Sequence, residues 1–108
     1  MRRVAFSIPP ALESRVDAVI SAIREDSTPR AHAEELADVI VEMTHIGLGA
    51  YFLAPLERVD VGTLAYGTAK MGVKAAGKGL PTIVRRVIGG MTDEQLEELV
   101  EIMDKMMV

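Results

Sequence analysis

The spacing of apolar residues restricts most of this 108-residue chain to helix. Apolar side chains recur at intervals of three and four, which is the period of a helix with one buried face. Two sets show this period most plainly: Leu12, Val16, Val19, Ile20 and Ile23, and then Leu96, Leu99, Val100, Met103 and Met107. Only residues 3 to 8 follow a period of two. The predicted fold class is therefore mainly α, with a short N-terminal β-strand followed by about five helices.

Prolines and capping residues predict the bounds of the first two helices. The first runs from Pro10 to about Glu25, since proline suits the opening turn of a helix. Ser27 or Thr28 can cap the second helix, and Pro55 is predicted to end it. Its predicted buried side carries these residues: Ala33, Leu36, Ala37, Ile40, Val41 and Met43.

The C-terminal half is predicted to form three further helices. The first covers residues 61–76 and is rich in small side chains. A loop at residues 77–80 and a short helix at residues 81–88 follow, because glycine and proline usually interrupt a helix. Thr92-Asp93-Glu94-Gln95 has the pattern of a capping box, so the last helix begins there.

Composition points to self-association. Hydrophobic residues make up 49% of the chain, while its aromatic residues are two Phe and two Tyr. A chain this short cannot bury so much aliphatic surface alone, so we expect a homodimer or a larger homo-oligomer. Thr68, Gly72 and Ala76 would form one smooth helical face that lets another helix approach closely.

The alternating N-terminal run needs a partner for its backbone hydrogen bonds. Val4, Phe6 and Ile8 would share one side of a strand, with other residues between them. The sequence contains no second alternating run. The economical partner is the same strand of another copy, antiparallel across a two-fold axis.

This N-terminal region resembles the ribbon-helix-helix DNA-binding family. The matching residues are Arg3-Val4-Ala5-Phe6-Ser7-Ile8-Pro9, and then Leu12, Val16, Asp17 and Ile20. The match covers roughly the first 44 residues. It divides the chain into a ribbon-helix-helix-like dimerisation and DNA-binding region, residues 1–46, and a helical oligomerisation or partner-binding region, residues 47–108.

The resemblance implies a strand ribbon in the DNA major groove. It implies these DNA-binding residues: Arg3, Ala5, Ser7, Ser27, Thr28 and Arg30. Arg3 would contact a guanine edge or a phosphate, Ala5 a thymine methyl group, and Ser7 either base type. Backbone N–H groups near Ser27 and Thr28 would hold a phosphate beside Arg30. The implied function is a small homodimeric transcription regulator or an antitoxin-like protein.

Charge is unevenly distributed along the C-terminal half. The net charge is −4, yet no acid lies between Asp60 and Asp93. The basic residues of that interval are candidates for binding an anion or an acidic partner: Lys70, Lys74, Lys78, Arg85 and Arg86. The alternative is a solvated face, partly neutralised by the acids of the last helix.

Glu42 and His45 have the Glu-x-x-His spacing of carboxylate-bridged metal bundles. Such bundles need two copies of the motif, which a symmetric dimer could supply. The alternative is the wet face of an amphipathic helix. A dimeric metal-binding bundle is accordingly the weakest of the functional hypotheses.

The remaining expectations are mostly absences. The chain has no Cys, and its two histidines match no nucleophilic triad, so we expect no enzyme and no cofactor. Its longest nearly uncharged stretch, residues 43–56, is too short to span a membrane, so we expect a cytoplasmic protein. The alternative to DNA binding is a non-catalytic, all-helical homo-oligomeric assembly protein, with or without a bound hydrophobic ligand.

Overall fold

Four helices form nearly all of the structure. The computed structural model describes residues 5–59 and 61–107, and helix accounts for 86% of them. The helices are α1 (Pro10–Glu25), α2 (Pro29–Val59), α3 (Thr63–Gly89) and α4 (Asp93–Met106). The prediction of a mainly α fold is confirmed. The described residues hold four helices rather than about five, and they contain no strand.

Residues 5–8, the described part of the predicted N-terminal strand, do not form a strand. Residues 5–9 have no regular secondary structure, and Arg3 and Val4 lie outside the described residues. Phe6 packs edge to face on Tyr51, with ring centroids 5.6 Å apart, and its ring lies over Gly47. Ile8 packs on the core. Phe6 is therefore accommodated by α2 of the same chain, and Ile8 by the core.

Helix α1 and the start of α4 form as the sequence predicts. All five apolar residues predicted for the first helix are buried on α1. At the start of α4, Thr92 Oγ1 accepts a hydrogen bond from the Gln95 backbone N–H at 3.2 Å. The Thr92 N–H donates in return to Gln95 Oε1 at 2.9 Å, so the predicted capping box is confirmed. Two backbone donors at the helix start are thereby satisfied.

Helix α2 does not end at Pro55, as the sequence predicted. It begins with a 3₁₀ turn, Pro29–His32, and passes through a wide π turn, Gly49–Leu53, before continuing to Val59. In a regular α-helix the ring of Pro55 would clash with the carbonyl four residues earlier. The π turn places one extra residue just before the proline, so the helix continues past it.

Helix α3 runs without a break through the predicted loop at residues 77–80 and through Pro81. Gly77 is buried against α2, and a Cβ atom there would overlap the imidazole of His45. This glycine therefore permits a close approach between two helices and does not interrupt one. The separate helices predicted at residues 61–76 and 81–88 are one continuous helix.

The core lies at one end of the molecule. It is formed by α1, the first part of α2, the end of α3, and α4. Beyond it, residues 46–59 of α2 and 63–80 of α3 form an antiparallel helical hairpin, here called the arm. Gly77 is the only buried residue among the described residues of the arm. The predicted boundary between residues 46 and 47 falls inside α2.

Gly77→Ala should destabilise the protein by about 1–2 kcal/mol, because the added methyl group displaces the His45 ring from the α2–α3 contact. Gly67 lies in the same helix with open space around its Cα. Gly67→Ala is therefore the matched control, and should stabilise the protein by up to about 1 kcal/mol through helix propensity. Urea unfolding at one protein concentration measures both. Equal effects from the two substitutions would contradict the packing role of Gly77.

Candidate interaction surface

Helix α3 has two apolar faces, and only one of them packs inside the chain. The inner face lies against α2 and the core with these buried or half-buried residues: Tyr66, Val73, Gly77, Leu80, Val84 and Ile88. About 120° around the helix, at 3.6 residues per turn, a second set recurs at the same three- and four-residue spacing. It is called the outer seam and consists of Ala65, Thr68, Gly72, Ala76, Gly79 and Ile83, all of them exposed. This is the spacing of a helix with a partner on each side.

Large apolar side chains lie in the outer seam, at Ile83, and to one side of it, at Leu64 and Met71. Leu64 is 86% exposed, Met71 is 74% exposed, and Ile83 is 63% exposed. Between them no atom of the chain lies within 4 Å of the position that a Cβ atom would occupy at Gly72 or Gly79. Each glycine in a helix interior costs about 1 kcal/mol relative to alanine. No contact within the chain offsets that cost, so the glycines suit an approach from outside it.

A row of lysines lies on the side of α3 away from the outer seam. Lys70, Lys74 and Lys78 are one turn apart and exposed, about 160° around the helix from the seam at 3.6 residues per turn. The Nζ of Lys70 lies 5.8 Å from the centroid of the Tyr66 ring, a cation–π contact. In residues 5–59 and 61–107, no carboxylate lies within ion-pair distance of these lysines.

The two arginines predicted to extend this basic surface do not extend it. Arg85 donates to Asp38 Oδ1 on α2 at 2.9 Å. The hydrogen bond to Asp38 raises the pKa of the Arg85 guanidinium above its usual value. By helical geometry Arg85 lies in line with the lysine row, seven residues after Lys78, whereas Arg86 lies in line with the outer seam, seven residues after Gly79. The structure thus differs from the prediction in two ways: Arg85 is paired with Asp38, and Arg86 lies on another side of the helix from the lysines.

The acids of α4 divide into a used set and a free set. Arg24 of α1 binds Glu101 at 2.6 Å and Asp104 at 2.8 Å, and these partners raise the pKa of its guanidinium, Asp104 most of all. Glu94, Glu97 and Glu98 are exposed and have no ion-pair partner among the described residues. Next to them lies a stripe called the α4 ridge: Gln95, Leu99, Ile102 and Met106. Ile102 is 51% exposed and Met106 is 72% exposed.

The start of α2, where the resemblance implies a DNA phosphate, already holds two carboxylates. The Thr28 N–H donates to Asp26 Oδ1 at 2.9 Å, and the Arg30 N–H donates to Asp93 Oδ1 at 3.1 Å. His32 Nε2 lies 2.7 Å from Asp26 Oδ2. Neither Ser27 nor Thr28 caps the helix with its side chain. Acidic side chains of the same chain therefore occupy the anion positions at this helix start.

The other residues implied in DNA binding lie elsewhere. Arg3 is outside the described residues, and Ala5 and Ser7 are exposed. Phe6 between them rests on Gly47, which is roughly 25 Å along α2 from Arg30 at 1.5 Å per residue. Within one chain the structure therefore does not bring the two halves of this predicted site together.

The predicted metal pair has other contacts. Glu42 and Glu35 both bind Arg15 of α1, and Glu42 is the main cause of the raised pKa of that guanidinium. His45 lies against Gly77. The residues that the structure describes form no cluster of three or more metal-ligating side chains.

Comparison of the chain with protein-family models, with curated proteins and with solved structures found no match.

Helix α2 has a long apolar surface that the chain itself leaves largely uncovered. Among the described residues, α2 is long and apolar enough to cross a membrane by length and composition alone, with a mean hydropathy of 1.4 over its most apolar window. Only 6% of that window is buried inside the chain, so its apolar surface is available for contact.

Sequence reasoning identified part of the outer seam and missed the rest. Thr68, Gly72 and Ala76 were expected to form a smooth face. Gly79 and Ile83 were missed because the predicted loop at residues 77–80 interrupts the helix on which all of them lie. Continuing the three- and four-residue spacing through that loop would have found them.

The Asp26 carboxylate should make the protein less stable in acid. The hydrogen bond from the Thr28 backbone, and then that from His32, lowers the pKa of Asp26 below its ordinary 3.8. A lowered pKa stabilises the fold above the ordinary value, and this stabilisation is lost as the pH falls through the folded-state pKa. Asp26→Asn should flatten the pH dependence of the unfolding free energy below about pH 4. Urea titrations at several pH values measure that slope.

Asp17→Asn is the control, because Asp17 is exposed on α1 and has no side-chain hydrogen bond among the described residues. It should keep the wild-type slope. A slope unchanged by Asp26→Asn would show that this turn does not couple to acid unfolding.

Proposed function

We propose that this chain is a non-catalytic helical assembly protein that works as a homo-oligomer through its arm. The observation that carries the proposal is the outer seam. It is an apolar helical face of regular spacing, with glycines that make no contact inside the chain. Buried against a second copy, the same glycines would allow close helix packing, and Leu64 and Met71 would leave water.

The size of the exposed surface supports this proposal. The accessible surface is 7591 Å², whereas a compact monomer of this mass exposes about 5,900 Å². A stable dimer buries about 800 Å² on each partner, which is less than the excess. The radius of gyration is 16.0 Å, compared with about 13 Å for a compact domain of this length. The arm accounts for both excesses, because it extends beyond the core.

The character of the grooves also favours a binding role over catalysis. A groove of about 730 Å³ lies between the start of α2 and the end of α3. Its charged lining residues Arg30, Glu34, Arg85 and Asp93 are open to solvent or bonded to neighbours. Among the described residues no polar or charged side chain is buried. An ionisable group taken out of water, which catalytic sites commonly use, therefore has no counterpart in this part of the chain.

Weakening the outer seam should weaken self-association. Ala76→Gln places a long uncharged side chain on the seam with little change in helix propensity. We expect wild-type chains to sediment as a dimer or larger species, and the variant to associate at least about tenfold more weakly, a loss of about 1.4 kcal/mol. Sedimentation equilibrium measures both. Ala18→Gln, on the exposed side of α1, is the matched control and should leave association unchanged.

A wild-type chain that stays monomeric at concentrations up to about 100 μM would reject the proposed assembly. Equal association of wild type and Ala76→Gln would instead show that the copies meet through another surface.

DNA binding through a ribbon formed by residues 3–8 of two copies stays a prediction from the family resemblance. It would require Phe6 to leave its contact with Gly47 and Tyr51. It predicts that Arg3→Ala weakens DNA association and that affinity falls steeply with salt. Gel retardation with mixed-sequence DNA at low salt tests it. No retardation by the wild-type chain would reject this role without affecting the assembly proposal.

A further inference from the structure

The outer seam carries no charged side chain from Ala65 to Ile83. In residues 63–84 of α3 the charged residues are the three lysines of the lysine row. These point about 160° away from the seam at 3.6 residues per turn. A partner that packs on the seam therefore meets small and apolar side chains and no lysine. Such a face suits an apolar partner.

The small residues of the seam favour a helix as that partner. At Gly72 and Gly79 no atom of the chain lies within 4 Å of a built Cβ position, so the backbone of α3 is open to close approach there. Packed helices lie 8–10 Å apart, and this distance depends on the side chains at the contact. The closest approach results when both helices are lined by small side chains. The α3 helix of a second copy has such a lining.

We propose that the outer seams of two copies pack on each other in antiparallel orientation, across a two-fold axis at the level of residue 74. This inference rests on the proposed homo-oligomeric assembly and defines how its copies meet. Full overlap of the two seams places the axis midway between Ala65 and Ile83. Ala65 of each copy then lies level with the partner's Ile83, and Gly72 lies level with the partner's Ala76. A two-fold contact of this kind uses the same surface of both copies, so the dimer is closed.

The antiparallel orientation matches a large side chain with a small one. Ile83 is the one large aliphatic side chain of the seam, and it is 63% exposed. In the antiparallel pair it lies against the partner's Ala65, and the symmetry axis makes this contact twice. A parallel pair would instead place two Ile83 side chains together at one end and two Ala65 side chains at the other. Facing positions pack best when large side chains meet small ones.

The same orientation brings together exposed apolar side chains from the two ends of α3. Val87, beside the seam where α3 enters the core, is 57% exposed. Val61, at the tip of the arm, is 40% exposed. With the axis at the level of residue 74, Val87 of each copy lies level with the partner's Val61. A parallel pair would leave these two positions at opposite ends of the contact.

Arg86 gives an electrostatic reason against the parallel orientation. It lies in line with the seam and has no ion-pair partner among the residues that the structure describes. A parallel pair would bring the two Arg86 guanidinium groups to the same level, and like charges at close range destabilise an interface. In the antiparallel pair they are about 36 Å apart along the axis at 1.5 Å per residue. That separation exceeds the Debye length of about 8 Å in physiological salt, so their repulsion is screened.

Engineered cysteines test the orientation, because the natural chain has none. Ala65→Cys and Ile83→Cys each place one thiol at an exposed position of the seam. The two variant chains are mixed in reductant, so that copies exchange, and are then oxidised mildly. Mass spectrometry should find at least about tenfold more disulfide between unlike chains than between like chains. Like cysteines lie about 27 Å apart along the axis, whereas a disulfide needs Cα atoms within about 7 Å.

Each variant alone should remain reduced while still dimerising in sedimentation equilibrium. Ala18→Cys, on the exposed side of α1, is the matched control. Mixed with the Ile83→Cys chain, it should give no excess of disulfide between unlike chains. Circular dichroism checks that every variant keeps its helices.

Three outcomes would overturn the inference. If each variant alone forms disulfides as readily as the mixture does, the copies do not pair antiparallel, although the proposed assembly stands. If wild type dimerises and no excess of the mixed disulfide forms, the pairing described here is absent. The Ala76→Gln measurement then shows whether the seam still takes part in association. If wild type is monomeric, the proposed assembly fails and takes this inference with it.

Discussion

The close contact between α2 and α3 is the constraint on which the rest of the structure depends. His45 rests on Gly77 where a side chain would leave no room, so the two helices lie close together at this point, and most of their contacts involve residues 33–48 of α2. This contact fixes the rotation of α3 about its axis. Once the inner face is committed to α2, the seam at Gly72, Ala76 and Gly79 must face outward, and the lysine row must point away from the seam.

Ion pairs at the helix surfaces determine which charged side chains have no partner among the described residues. Arg15 joins α1 to α2, Arg24 joins α1 to α4, and Arg85 joins α3 to α2. These exposed pairs contribute about 0–1 kcal/mol each, so apolar burial and not charge holds the four helices together. Their larger effect is on which charged side chains remain unpaired. They occupy Asp38, Glu101 and Asp104, and they leave Lys70, Lys74, Lys78, Glu94 and Glu98 without partners among the described residues.

The fold could be predicted wherever one local signal dominated. The apolar stripes of α1 and α4 and the capping box at Thr92 follow from periodicity and local hydrogen bonding, and these predictions are confirmed. The prediction failed wherever a tertiary contact reversed a local rule. Gly77 looked like a loop residue but serves a helix contact, and Pro55 follows a π turn that lets α2 continue.

Of the candidate surface, the sequence alone identified the lysine row and part of the outer seam, because both repeat within a single helix. It could not identify the pairing of Arg24 with Glu101 and Asp104, or the bond from the Arg30 N–H to Asp93, because each joins residues far apart in the chain. These long-range contacts determine which acids are free. The free acids can therefore be told from the paired ones only in the structure, although the uneven charge of the C-terminal half is visible in the sequence.

The arm buries little of its own surface, so its stability would depend on what covers it. A two-helix hairpin with one buried residue among its described positions gains little from burial, and its exposed glycines at 72 and 79 lower helix propensity further. Covering the outer seam with a second copy would stabilise the arm and the dimer together, since a partner that binds only the folded arm shifts its folding equilibrium. The features that weaken the arm in a single chain are the same ones that allow a partner helix to approach closely. Instability of the lone arm and specificity of its pairing are, on this account, two consequences of the same small residues.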